Sequence, residues 1–199
     1  MTPRISLVAH ATTKALRAAT FGGDDGLDDV GRAKAAALTG RFGRVDRVFV
    51  SPALRARQTA EALGLAATAD DRLRECDFGR WSGRTFGQVA LREPRKLFNW
   101  MKNPATAPHG GETIEAVMRR VADWIDERGR EKGHTVAITH ASVIRAAIVH
   151  VIEAQLQSFW RIDVVPLSLT DMRTNGRRWV LRSLAPLEAI PAEAPAETP

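Results

Sequence analysis

Residues 135–146 read TVAITHASVIRA: a short apolar run, Thr135 to Thr139, that stops at a histidine and gives way to a helix-patterned segment, Ser142 to Ile152. A run of this length, rich in β-branched residues and bounded by polar ones, predicts a buried strand. The same pattern stands twice more upstream. Ile5 to Ala9 follows Pro3 and stops at His10, and Arg47 to Val50 stops at Ser51 and Pro52. Between these runs lie segments of helical period. Asp28 to Phe42 opens on an acidic cap, and Pro52 to Leu63 has Pro at its start and Gly64 beyond its end. Glu112 to Arg130 places Val117, Val121, Trp124 and Ile125 on one face. Strands alternating with helices predict an α/β fold, a mainly parallel sheet with helices on both faces.

Downstream, Phe159 to Val165, Ser168 to Arg173 and Arg178 to Leu184 read as strands. The last two join through Asn175 and Gly176, a hairpin signal that gives the sheet an antiparallel edge. Residues Phe78 to Pro108 suggest two helical pieces forming a small cap over one end of the sheet. From residue 186 the composition turns to Pro, Ala and Glu, so a single domain over residues 1–185 and a disordered tail over 186–199 are expected.

A chain of 199 residues with 44% hydrophobic content suits one domain with one substantial core. Lys and Arg outnumber Asp and Glu by 29 to 23, a formal net charge of +6 that favours anionic partners. Nucleic acid is not expected among them, because the sequence has neither a recognition motif nor a dense basic and aromatic stripe. A small phosphorylated substrate or another small anion is. One cysteine, Cys76, cannot form an internal disulfide, and no Cys/His spacing resembles a metal site. No stretch suits a signal peptide or a membrane span, so a cytoplasmic location without membrane association is expected. The oligomeric state is not written in the sequence.

Three polar elements each follow the carboxyl end of a predicted parallel strand: His10, Ser51 with Arg55, and His140. In open α/β sheets that edge is where ligands bind. A lone histidine at such a place is as compatible with a structural hydrogen bond; the coincidence of three elements at one edge favours chemistry. Imidazole attacks phosphorus directly, and an arginine presents a planar fork of donors to phosphate oxygens. The first amides of the helix starting near Ala141 add donors for an anion. A carboxylic acid is needed to protonate a leaving oxygen, and Glu75 is the candidate.

The stretches VAHATT (8–13), SPALRARQTAEAL (51–63), LRECDFGRWSG (73–83), HGGET (109–113) and VAITHASVIRA (136–146) together resemble the successive motifs of the histidine phosphatase (phosphoglycerate-mutase-like) superfamily. The resemblance implies a three-layer sandwich and a phosphoenzyme mechanism with no metal and no cofactor. In that scheme His10 is the nucleophile, Arg55 and His140 bind the transferring phosphoryl group, and Glu75 donates the proton. Thr13 matches a threonine of the first motif and Arg145 an arginine common in the family, for which helix packing is an equal reading. Trp81 resembles an aromatic that packs beneath the site. His109 and Glu112 fall near its rim, where His109 reads as a turn residue or a substrate contact. Trp100 and Phe98, in the cap, are open to either core packing or substrate contact.

The first motif departs from the pattern. The family reads Arg-His-Gly, then Thr two positions later and commonly Asn three beyond; here the residues are Ala9, His10, Ala11, Thr13 and Leu16. A charge-assisted hydrogen bond contributes roughly 1.5–3 kcal/mol, so the missing arginine costs about a hundredfold in rate or affinity. Lys14 and Arg17 are the nearby cations available as substitutes. The expected function is therefore a phosphatase of weakened activity on a small phosphorylated metabolite. The alternative is a catalytically impaired relative that binds a phosphorylated ligand or a protein partner. Mutase action, which needs an intact triose-sized cradle, fits less well.

Overall fold

The computed structural model of the chain describes residues 2–191. Among them, six strands form one sheet: β1 (Arg4–Ala9), β2 (Arg47–Val50), β3 (Thr68–Ala69), β4 (His134–Thr139), β5 (Ser168–Thr174) and β6 (Trp179–Pro186), in the order β3-β2-β4-β1-β5-β6. Pairings among β1 to β4 are parallel, whereas β5 runs antiparallel to both β1 and β6. The expected mainly parallel sheet with an antiparallel edge is what forms. The chain leaves β1 for β2 on one side, and leaves β4 for β5 on the other. A crevice therefore opens between the carboxyl ends of the adjacent strands β1 and β4, at a topological switch point.

Side-chain alternation sorts the core into two layers. Ile5, Leu7 and Ala137 enter one cluster with Trp124, Ile125, Val143 and Ile144, under α6 (Ile114–Arg128) and α7 (Ala141–Val151). Val8, Val136, Ile138 and Val50 enter the other with Ala35, Ala56 and Ala60, under α2 (Asp29–Ala36) and α3 (Leu54–Ala62). Every residue of β4 is buried, as a central strand covered on both faces must be. Before α2, the single-turn α1 (Lys14–Arg17) starts the loop behind His10.

Helix ends follow the caps. Asp28 caps α2 by accepting from the Gly31 amide at 2.6 Å, and Thr113 caps α6 through the Ala116 amide at 3.0 Å. The expected helix from Asp28 stops well short of Phe42. Leu38 and Thr39 donate three residues back, and Gly40 turns the chain at φ +77°. The cap consists of α4 (Phe86–Arg92), begun by a Thr85–Gln88 capping box, and α5 (Pro94–Lys102), begun by its own proline.

One predicted strand is not a strand. Within Phe159 to Val165 the chain forms the end of a 3-10 helix, Leu156–Arg161. A strand would send the consecutive Phe159 and Trp160 to opposite faces, whereas the tighter turn lets both join the α6/α7 cluster. Trp160 meets Trp100 edge to face with ring centroids 4.5 Å apart. The two-residue β3, too short to show periodicity, was not foreseen. Of the expected tail, residues 192–199 lie outside the described residues, while Leu187–Ala189 form a 3-10 turn with Leu187 buried. No helix among the described residues is long and apolar enough to cross a membrane.

Trp124 ties the α6 layer to the sheet. Fully buried, it meets Phe49 edge-on at 5.8 Å and donates its indole N–H to Asp70 at 2.9 Å. Trp124→Ala is expected to destabilise the chain by about 3–5 kcal/mol, read as the shift in urea unfolding, because it removes a large fully buried ring and one donor to Asp70, which keeps Arg72.

Candidate active site

In the β1–β4 pairing Ala9 lies opposite Thr139, so the residues that follow, His10 and His140, leave the sheet side by side. Their rings meet edge to face with centroids 5.1 Å apart. Val50 pairs with Ile138, which puts Ser51 level with Thr139, one residue before His140, and α3 then carries Arg55 one turn further on. The three elements expected at this edge do converge.

Arg55 is the bridge between the two imidazoles. Its Nε donates to His10 Nε2 at 3.2 Å, its Nη2 lies 3.2 Å from His140 Nδ1, and its Nη1 donates to the Gly23 carbonyl. These contacts fix both tautomers. His10 Nδ1 lies 2.8 Å from the Ala11 carbonyl, which can only accept, so Nδ1 carries the hydrogen and Nε2 keeps the lone pair that accepts from Arg55. His140 accepts from Arg55 on Nδ1, so its Nε2–H donates to Ser51 Oγ at 2.7 Å. Burial, and next the Arg55 charge, hold His10 below its ordinary pKa; burial, then His10 and Arg55, hold His140 well below its own. Both rings are neutral at pH 7.

The cavity in front of His10 has a volume of about 50 Å³ and is lined by Thr13, Thr20, Asp25, Arg55 and Glu75 among others. Thr13 Oγ1 accepts from the Leu16 amide at 3.0 Å, which leaves its hydroxyl hydrogen to donate elsewhere. Glu75 Oε2 lies 3.9 Å from His140 Nδ1, and Glu75 Oε1 accepts from the Cys76 amide at 2.9 Å. Ala141 opens α7 directly behind His140 and is not among the cavity-lining residues. The set can present a free imidazole nitrogen, a guanidinium fork and a carboxyl group to one small anion.

Supporting residues hold this geometry. Arg120 grips Glu112 through Nε at 2.8 Å and Nη2 at 2.9 Å, and donates to the carbonyls of Arg72 at 2.7 Å and Glu75 at 3.3 Å. Thr139 Oγ1 donates to the Leu73 carbonyl at 2.7 Å. Together they fix the loop that carries Glu75. Glu112 thus acts on a site group through Arg120, a connection that sequence spacing does not show. Sequence reasoning missed Thr20 and the charged Asp25 among the cavity residues: a GGDDG loop carries no periodic or motif signal for which side chain turns inward.

Other candidates sit elsewhere. Lys14 is exposed at the start of α1 and Arg17 pairs with Asp28 at 2.7 Å; neither lines the cavity. Trp100 is buried among Phe21, Trp81 and Trp160, so it is core and not a substrate contact, while Phe98 is exposed beneath Lys102. Trp81 is fully buried under the cap, and His109 packs on it at 5.0 Å while accepting from the Gly111 amide, as a turn residue would. Arg145 donates to the Ile162 carbonyl at 2.8 Å. Burial drives the Cys76 thiol far up in pKa, which removes it as a nucleophile. Among the described residues no cluster of three or more His, Cys, Asp or Glu side chains is arranged to hold a metal ion.

Comparison with known proteins bears on the family and the fold. A Mycobacterium tuberculosis protein described as bifunctional is 31% identical over 186 residues, which cover 87% of this chain and 51% of that protein. The chain thus spans about half the length of the mycobacterial relatives it matches. A putative phosphoserine phosphatase 2 of Hydrogenobacter thermophilus is 26% identical over 188 residues, 89% of this chain and 93% of its own. A mycobacterial glucosyl-3-phosphoglycerate phosphatase solved with VO3 superposes with a TM-score of 0.81 at 25% identity, covering 92% of this chain and 98% of that one. Residues 5–186, a span that runs from β1 through both histidines to the end of β6, match the histidine phosphatase superfamily (branch 1), and the chain belongs to that family.

Proposed function

We propose that this chain is a metal-independent phosphomonoester hydrolase that acts on a small phosphorylated metabolite through a phosphohistidine on His10. The observation that carries the reading is the tautomer of His10: a neutral imidazole whose unprotonated Nε2 accepts from the Arg55 guanidinium, at the wall of a cavity that Arg55 and Glu75 also line. The relatives named as phosphatases of small phosphorylated compounds support the same substrate class.

In the proposed reaction His10 Nε2 attacks phosphorus and the ester bond to the leaving oxygen breaks, with Glu75 supplying the proton to that oxygen. Water then attacks the phosphohistidine, Glu75 takes its proton, and His10 and inorganic phosphate are released. Arg55 turns its Nε and Nη2 from the imidazoles to the phosphoryl oxygens, where transferring charge concentrates. Thr13 donates its free hydroxyl hydrogen, and the amide of Ala141 adds the field of the α7 amino terminus. His140, oriented by Ser51, takes up a proton on Nδ1 when the phosphate dianion supplies the opposing charge.

The altered first motif bears on rate. Ala9 is buried in the α6/α7 cluster, so a packed methyl stands where the family carries an arginine. Ala11 is a different case. It is not among the positive-φ residues, and its methyl packs beside Val8 and Ala56, so alanine is unstrained there. Its amide donates to Thr59 Oγ1 at 3.0 Å, which holds the turn after His10. The absence of the arginine favours a second reading, a phosphate-binding relative without turnover. Trapping of phosphoryl on His10 separates the two, since a pure binder would not become phosphorylated.

Hydrolysis of para-nitrophenyl phosphate without added metal is expected in the wild type and is expected to fall by about a thousandfold or more in His10→Ala. A His10→Ala protein as active as wild type would sink the phosphohistidine route. Ala11→Gly is expected to lose about 1 kcal/mol of stability in denaturant unfolding and to give no gain in rate, because no strain is relieved. The acid limb of kcat/KM set by His10 is expected below pH 6.5, its ordinary value, since burial and Arg55 favour the neutral ring. The same shift makes the unfolded chain bind more protons than the folded one below that pH. The melting temperature is therefore expected to fall as pH drops from 7 to 5.

A further inference from the structure

The cavity and its approach carry the wrong charge for a plain phosphate site. A groove of about 350 Å³ adjoins the cavity and shares Gly22, Arg55 and Glu75 with it. Taken together their walls hold the carboxylates of Asp24, Asp25, Glu75 and Asp77 against the guanidiniums of Arg55 and Arg74. Four anions to two cations, on a chain whose formal net charge is +6, is a local reversal of sign. Arg74 is further drawn toward Glu112, 3.3 Å away. Asp24 and Asp77 each use an oxygen to accept a backbone amide, Leu54 at 2.7 Å and Gly79 at 2.8 Å.

Asp25 differs from these two because it lines the inner cavity itself. One oxygen lies 3.4 Å from the Ala15 amide, a long contact, and the other faces Arg55 Nη1 at 3.9 Å. The site has thus lost a cation at residue 9 and holds a carboxylate beside the cation that remains. A dianionic phosphate whose leaving group bears a further negative charge meets repulsion here, while one whose leaving group bears a positive charge restores the balance.

We propose that the substrate brings the missing cation: the chain prefers phosphate monoesters that carry an ammonium or similar cationic group a few atoms from the ester oxygen, with Asp25 as the specificity-determining residue. This rests on the phosphatase reading. The phosphoryl group occupies the inner cavity, and the cationic arm lies between Asp25 and the acidic groove. The preference is electrostatic at a partly open site, so added salt weakens it.

Three two-carbon esters differing only in charge test the proposal: 2-aminoethyl phosphate, 2-hydroxyethyl phosphate and phosphoglycolate. In wild type, kcat/KM is expected to fall in that order, by about tenfold from the cationic to the neutral ester, the size of one modest charge contact. Asp25→Asn is expected to bring that ratio close to one while the neutral ester is still hydrolysed and the melting temperature stays near that of wild type. Hydrolysis of the neutral ester with equal or better use of phosphoglycolate would overturn the charge preference and leave the phosphatase reading standing. An unchanged ratio in Asp25→Asn, or an equal loss on all three esters, would overturn the assignment to Asp25. Wild type inert toward all three, with no phosphoryl trapped on His10, would remove the phosphatase reading and this proposal with it.

Discussion

Parallel pairing of β1 with β4, in the register that sets Ala9 against Thr139, is the constraint on which the rest of the molecule turns. It puts two histidines 130 residues apart in sequence at one level of one sheet edge, where the chain departs in opposite directions and a crevice must open. A slip of one residue would turn either imidazole to the opposite face. Register here is held by burial of all of β4 and of β1 beyond Arg4, since each alternate side chain has a packed layer to enter.

Arg55 then converts proximity into chemistry. A single guanidinium reaching two ring nitrogens selects the tautomer of each, and burial keeps both rings neutral. The arrangement is poised for an anion: the donors of Arg55 now spent on imidazoles are the donors a phosphoryl group would claim. The loop bearing Glu75 is held from behind by Thr139, and by Arg120, which Glu112 grips in turn. An acid at that place is therefore a property of α6 and β4 as much as of its own segment.

The departures from the family pattern flank His10 in the chain, enter opposite core layers and differ in physical weight. At Ala11 the backbone is ordinary and the methyl is packed, so the substitution is absorbed. At Ala9 a long cation is replaced by a methyl within the core, and no neighbouring cation among Lys14 and Arg17 turns inward to replace it. The acidic lining of the cavity mouth sharpens this difference, because the missing positive charge and the carboxylates present act in one direction on an incoming phosphate.

The sequence by itself determined the parallel core, the antiparallel hairpin through Asn175 and Gly176, and the placement of His10, Arg55 and His140 at one edge. Each rests on local signals: short β-branched runs, helix caps and the residue that follows each strand. It did not determine the fate of Phe159 and Trp160, whose β-prone composition yielded to packing of Trp160 on Trp100 in the cap and of Phe159 on Trp160. Nor did it show that Trp100 is core, that Glu112 acts through Arg120, or that Asp25 faces the nucleophile. Those outcomes depend on contacts between segments distant in sequence, and on which way an exposed loop side chain turns, where neither periodicity nor propensity carries information. Tertiary structure decided them through burial and charge, by bringing together groups that the linear pattern leaves apart.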